Sequence, residues 1–203
     1  MTGDDRVVSL LVVLLHLVRH GASAPDPATP ADAWPLRDSA REGIEQLRDS
    51  RALPPRARWF SSPEIKALET ARLLHNHAVQ VIDDLREAER SAFWFEEPSE
   101  FEATVERAFT EQEAVVVQGW EPLAHTRSRV AAAARPLLHA AAAGDASDVV
   151  MVGHGTAWTL LVAELTHTEP DIVSWRLMGM PDHCALDVDA GRLISTWGAW
   201  RTQ

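Results

Sequence analysis

The apolar positions of this chain fall into short runs that alternate with amphipathic stretches. Val12 to Val18 is apolar except for His16 and stops at Arg19-His20-Gly21. Such a run predicts a strand buried on both faces, as in a parallel sheet. It extends back to Val7, and Ala22-Ser23-Ala24 has the look of a signal-peptidase site. Yet Asp4 and Asp5 against Arg6 leave the start without positive charge. The apolar length is also about half the ~20 residues of a membrane span. A buried strand is expected, preceded by flexible residues 1–6.

Ala24 to Pro35 carries four prolines and predicts a loop. Asp38 to Leu47 has Ile44 and Leu47 on one face and predicts a helix. Arg58 to Phe60 predicts a second strand. Ser62 before Pro63 is a helix start, with Pro63 at the first helical position and the helix running to about His75. Val79 to Ile82 predicts a third strand, and Asp83 to Pro98 has no period and reads as a long loop. Ser99 to Glu111 and the alanine-rich Pro122 to Ala143 predict helices. Asp148 to Val152 predicts a strand that ends at Gly153-His154-Gly155, followed by a helix over Thr156 to Thr166. Cys184 to Val188 and Leu193 to Trp197 close the chain as two strands around Asp189-Ala190-Gly191.

This order predicts an α/β three-layer sandwich: a mostly parallel central sheet, helices on both faces and an antiparallel edge strand. One domain over residues 1–203 is expected, with 83–121 as a cap or lid insertion. Ligands of such sheets bind beyond the carboxyl ends of the strands. Those ends carry Arg19-His20-Gly21, Ser61-Ser62, the loop after Ile82 and Gly153-His154-Gly155.

Composition narrows the function. Thirty acidic against 19 basic residues give a net charge of −11, the wrong sign for a nucleic-acid or anionic-membrane binder. The single cysteine, Cys184, excludes an internal disulfide and fits a reducing, cytoplasmic setting. Trp197 and Trp200 near the carboxyl end suggest a homodimer edge.

The chemistry that fits these strand ends is phosphoryl transfer. A neutral imidazole is a competent nucleophile, and His20 and His154 each follow a strand beside glycine. Splitting a slow phosphate hydrolysis through a covalent intermediate lowers its barrier. Arg19 offers a planar fork to phosphoryl oxygens. Lys66 lies on the first turn of the second helix, whose amino end favours an anion. A general acid must protonate the leaving oxygen. Leu85-Arg86-Glu87-Ala88-Glu89 supplies carboxyls whose pKa burial and phosphate charge would raise. Trp94, between Phe93 and Phe95, is placed as a lid over the pocket or as core.

Leu17-Val18-Arg19-His20-Gly21, Ser61-Ser62-Pro63-Glu64-Ile65-Lys66-Ala67-Leu68-Glu69-Thr70-Ala71, Leu85-Arg86-Glu87 and Val150-Met151-Val152-Gly153-His154-Gly155 occur in that order. The set resembles the signature of the histidine phosphatase superfamily, the phosphoglycerate mutase-like family, over about residues 12–197. The resemblance implies His20 as the phosphorylated nucleophile. It implies Arg19, Ser23, Lys66 and His154 around the phosphate, and Glu87 as proton donor. It implies no metal and no cofactor, and a small-molecule phosphate ester as partner. Phosphatase activity is expected. The alternatives are mutase-type phosphoryl transfer and a non-catalytic phospho-ligand-binding protein on the same scaffold. Three departures stand out: Lys66 where the family has arginine, Asp26 where it often has asparagine, and Ser91 to Glu97 where it often has glycine and Trp-Glu-Gly. The last leaves Glu89 beside Glu87 as a candidate acid.

Overall fold

The computed structural model describes residues 13–90, 94–144 and 147–202. The expected flexible start at 1–6 and Phe93 lie outside the described residues. The chain builds six strands: β1 (Leu14–Arg19), β2 (Ala57–Ser61), β3 (Gln80–Val81), β4 (Asp148–Gly153), β5 (Asp182–Asp187) and β6 (Arg192–Ser195). They form one sheet in the order β3-β2-β4-β1-β5-β6. β1 to β4 run parallel, whereas β5 pairs antiparallel with β1 and β6 antiparallel with β5. The helices are α1 (Ala40–Asp49), α2 (Ile65–Leu74), α3 (Pro98–Thr110), α4 (Leu123–Ala143), α5 (Gly155–Thr166) and α6 (Ile172–Leu177). This is the expected α/β architecture. None of the described helices is long and apolar enough to cross a membrane.

Strand alternation sorts the core into two layers. Leu15, Leu17, Phe60, Val149 and Met151 face α4 and α5. Val18, Trp59, Val150 and Val152 face α1 and α2 through Ile44, Leu47, Ala67 and Ala71. Each fully buried aliphatic side chain contributes roughly 1.5–3 kcal/mol. A third cluster, of Val105, Phe109, Trp120, Leu123, Leu160 and Trp175, joins α3 and the segment before α4 to α5 and α6.

Four expectations are corrected. The second helix starts at Ile65, not at Pro63, and its cap position is Glu64. Ser62 does not cap it, because β2's pairing holds that residue: its amide donates to Val152 O at 2.9 Å. The stretch expected as loop from Asp83 opens with a turn of 3₁₀ helix at Asp83–Leu85. It buries Leu85 against the α4 layer. α6 was not expected. Six residues are too few for a period, although Asp171 caps it by accepting the Ser174 amide at 3.0 Å. Finally, Trp200 is buried, 5% exposed, and its indole donates to Asp182 Oδ1 at 3.0 Å. Trp197 packs half-buried on the α4–α5 core layer. Neither presents an open dimer edge.

Candidate active site

Three adjacent parallel strands deliver the site. Arg19 pairs with Gly153 across β1 and β4, and Ser61 with Val152 across β2 and β4. The next residue on each strand is therefore His20, His154 or Ser62. The His20 amide continues the ladder by donating to Gly153 O at 2.9 Å. The two imidazoles meet edge to face with centroids 5.2 Å apart. They lie far apart in the sequence, and the order β2-β4-β1 brings them together.

Glycine acts here through packing. A Cβ on Gly153 would lie 2.5 Å from the Trp158 ring. That indole is fully buried and donates to Val18 O at 2.8 Å, fastening α5 to β1. A Cβ on Gly155 would crowd the Arg19 guanidinium at 3.2 Å.

His20 Nδ1 lies 2.6 Å from Gly21 O. A carbonyl only accepts, so Nδ1 carries the proton and the neutral ring keeps its lone pair on Nε2. Burial, then His154, Arg19 and Lys66, push the His20 pKa well below the ordinary value, so the ring is neutral at pH 7. His154 Nε2 stands 2.7 Å from Ser62 Oγ, while its Nδ1 is buried with no hydrogen-bond partner among the described residues. Burial is the first cause of its low pKa of about 3; Lys66, Arg19 and Arg90 add to it against the pull of Glu87.

Arg19 is held from an unexpected side. Its Nη1 donates to Met178 O at 2.6 Å, at the end of α6, and Nε is buried without a partner among the described residues. Burial lowers its pKa from the ordinary value, and the charges of Glu87 and Asp182 oppose this. Ser23 is placed by a backbone bridge to Leu36. Asp26 is exposed, and its Oδ1 accepts the Ala28 amide at 2.8 Å.

Glu87 and Glu89 separate cleanly. Glu89 faces outward to Arg86, 3.2 Å away. Glu87 turns inward and accepts the Thr156 and Ala157 amides at 3.1 and 2.9 Å, at the amino end of α5. The raised pKa expected for this carboxyl is corrected. Burial does push it up, but Arg90, His154 and the amides of Ala88 and Thr156 outweigh that and hold it at about 2.

Three residues were missed in the sequence. Arg90 donates to Thr156 Oγ1 at 2.9 Å and lies 5.3 and 5.1 Å from the Phe101 and Trp120 rings. Nothing in its aperiodic loop signalled it. Trp34 meets the half-exposed Trp94 edge to face at 6.4 Å, and the Lys66 ammonium lies 6.0 Å from its ring. Trp94 thus stands against Trp34, the ring beside Lys66, while Phe95 packs on Phe101 and Trp120.

Glu64 is the third. It is 7% exposed, Lys66 is 6% exposed, and Ile65 between them is 41% exposed. The hydrophobic pattern is inverted, which occurs when two opposite charges satisfy each other inside. Lys66 Nζ donates to Glu64 Oε2 at 2.5 Å and to Ala31 O at 2.6 Å. Glu64 Oε1 accepts the Glu87 amide at 2.7 Å and lies 3.3 Å from His154 Nε2. An acid two residues before Lys66 within the serine-serine segment was the available signal.

The model of the histidine phosphatase superfamily (branch 1) matches residues 15–194. No curated protein sequence matches the chain. Among solved structures it is similar to a mycobacterial glucosyl-3-phosphoglycerate phosphatase, with 22% identity over 91% of this chain and 98% of that one and a TM-score of 0.65. It is similar to a phosphoglycerate mutase from Bacillus anthracis, with 20% identity over 94% of each chain and a TM-score of 0.71. It also resembles a histidine-to-alanine mutant of a phosphoserine phosphatase from Entamoeba histolytica, solved in complex with phosphoserine, with 15% identity over 93% of this chain and 98% of that one and a TM-score of 0.72. The family match spans most of the chain, and with the two imidazoles set at neighbouring strand ends, this protein belongs to the histidine phosphatase superfamily.

Proposed function

We propose that the protein hydrolyses phosphate monoesters through a phosphohistidine on His20. The observation that carries this reading is the His20 ring itself. It is neutral, its proton is tied to Gly21 O, and its Nε2 lone pair stands within the field of Arg19, Lys66 and His154. Nε2 attacks phosphorus as the ester P–O bond breaks. Arg19, His154 and Lys66 hold the phosphoryl oxygens, with the Ser23 hydroxyl at the rim. Glu87 gives its proton to the leaving alcohol. Water then attacks phosphorus, Glu87 takes the water's proton, and inorganic phosphate leaves with His20 neutral again.

Glu87 must be protonated for the first step, although it rests near pKa 2. The negative charge of a phosphoryl group beside it opposes that depression and raises its proton affinity. No metal or cofactor enters these steps. The net charge of −11 supports a small phosphate ester as substrate and neither nucleic acid nor a membrane surface. We read the protein as cytoplasmic, and residues 83–121 as a cap whose α3 and Trp120 wall the site beside Arg90. Sedimentation over a range of concentrations tests the homodimer suggested by the sequence.

The test is turnover of p-nitrophenyl phosphate, with acid-quenched trapping of phosphohistidine from a labelled ester. Wild-type protein should turn over and His20→Ala should not. With a labelled ester that carries a second hydroxyl, transfer of the phosphoryl group to that hydroxyl in place of release would indicate mutase chemistry. One observation favours a binding protein without turnover: Lys66 already has a carboxylate partner. Phosphate binding with no turnover and no trapped phosphohistidine would establish that reading.

A further inference from the structure

Trp34 and Trp94 form a ring pair that belongs to none of the three core clusters. Trp94 is 44% exposed. The Trp34 indole N–H donates within its own loop, to Asp26 O and Thr29 O at 3.1 Å each. The loop thereby fixes the ring and uses its one polar group, so Trp34 offers an apolar face. Hydrogen bonds connect this pair to the reaction centre. The Glu87 amide donates to Glu64 Oε1, and Glu64 Oε2 accepts Lys66 Nζ. Lys66 Nζ gives a second hydrogen bond to Ala31 O, three residues before Trp34, which leaves one of its three donors for a phosphoryl oxygen. The same ammonium lies 6.0 Å from the Trp34 ring. Arg19, by contrast, is anchored at the end of α6 through Met178 O.

We infer, resting on the phosphatase reading above, that Trp34 and Trp94 are specificity-determining residues: they receive the alcohol part of the ester and favour one that carries an aromatic ring. The ester oxygen has to lie within reach of Glu87, and Glu87 is linked through Glu64 to the lysine beside Trp34. An alcohol that extends a few atoms from a phosphoryl group held by Lys66 meets the two indoles. A flat apolar group packs there edge to face or offset and takes the exposed Trp94 surface out of water. A polar alcohol of the same size gains little, because the Trp34 N–H is already bonded to its own loop. The rings take no part in the bonds that form and break. They act on which ester is held, and their contribution grows with the apolar area of its alcohol.

The experiment measures release of inorganic phosphate from 2-phenylethyl phosphate and from ethyl phosphate by the full chain. The two alcohols are similar in acidity and differ by a phenyl group. The ratio of their kcat/KM values therefore reports the contact with that group and not the ease of its departure. Wild-type protein should favour the phenyl ester at least about tenfold. Trp94→Ala should cut the ratio to about threefold or less, and Trp34→Leu, which keeps an apolar side chain in the loop, should cut it in the same direction. A wild-type ratio near one overturns the proposal without any variant, even should a variant fail to fold. An unchanged ratio in Trp94→Ala also overturns it, since a ring with a merely structural role lowers both esters together. In both cases turnover persists and the phosphatase reading stands. No phosphate release from either ester by wild-type protein instead removes that reading and this proposal with it.

Discussion

Among the described residues are two buried histidine pairs with the same 5.2 Å centroid separation. His20 and His154 meet at the carboxyl ends of β1 and β4, whereas His16 and His183 stack in the body of the sheet on β1 and β5. Burial lowers the pKa of all four, and both His154 and His183 lie at about 3. Burial and a low pKa therefore do not mark chemistry by themselves. His16 Nδ1 and His183 Nε2 satisfy each other at 3.0 Å, with Asp148 4.0 Å away from His16. The other two rings do not bond to each other: His20 Nδ1 meets Gly21 O and His154 Nε2 meets Ser62 Oγ, among Arg19, Lys66, Arg90 and Glu87. The difference is the company: cations and a carboxylate, the groups that the proposed phosphoryl transfer needs.

The sharpest way to break the comparison is to remove one ring from each pair. His20→Ala should lower kcat for p-nitrophenyl phosphate at least about 10³-fold, because no other side chain replaces the proposed nucleophile. A loss below tenfold would erase the distinction between the pairs.

Acid sensitivity joins the pairs again. His154 and His183 have folded pKa values of about 3, against about 6.5 in an unfolded chain. Below pH 6.5 the unfolded state binds protons that the native state refuses, so stability is full above that pH and drains as pH falls toward 3. Each histidine contributes a slope of roughly 1.4 kcal/mol per pH unit in that window. Denaturant unfolding at pH 7, 6 and 5 should show the decline. His183→Met should flatten it by about one histidine's share, and an unchanged slope would show that this ring titrates normally.

Two smaller effects concern what supports the pair at the strand ends. Gly153→Ala drives a methyl into the Trp158 ring and should cost about 1–3 kcal/mol of stability. No change in the melting temperature would contradict the close approach. Arg90→Met keeps an apolar stem between Phe101 and Trp120 but removes the charge beside Glu87. It should lower kcat/KM about tenfold and raise the pH at which Glu87 titrates in the activity profile. The least effect is expected from His183→Met on turnover, which should stay within about threefold of wild type.

Much of the site was legible in one dimension because its residues sit where strands stop. Arg19, His20 and His154 each follow an apolar run, and a strand's end is fixed by where its apolar residues run out. Glu87 could be narrowed only to a pair, since an aperiodic loop does not reveal which carboxyl turns inward. The amides of Thr156 and Ala157 made that choice. Arg90, Trp34 and α6, which brings Met178 O to Arg19, carried no period and were invisible. Glu64 was masked by the usual rule that charges face water, a rule that fails when an acid and a lysine two residues apart are buried together.

The order of apolar runs and glycine-flanked histidines alone determined that this chain is an α/β sandwich with two histidines at its strand ends. Such local patterns specify which element each residue ends or begins. Tertiary structure alone decided the charge state of those residues. Placing β4 between β1 and β2 buried two imidazoles together, set Glu87 on the amides of α5 and turned Lys66 onto Glu64. Proton affinity depends on desolvation and on charges a few ångströms away in space, and those neighbours come from distant parts of the chain.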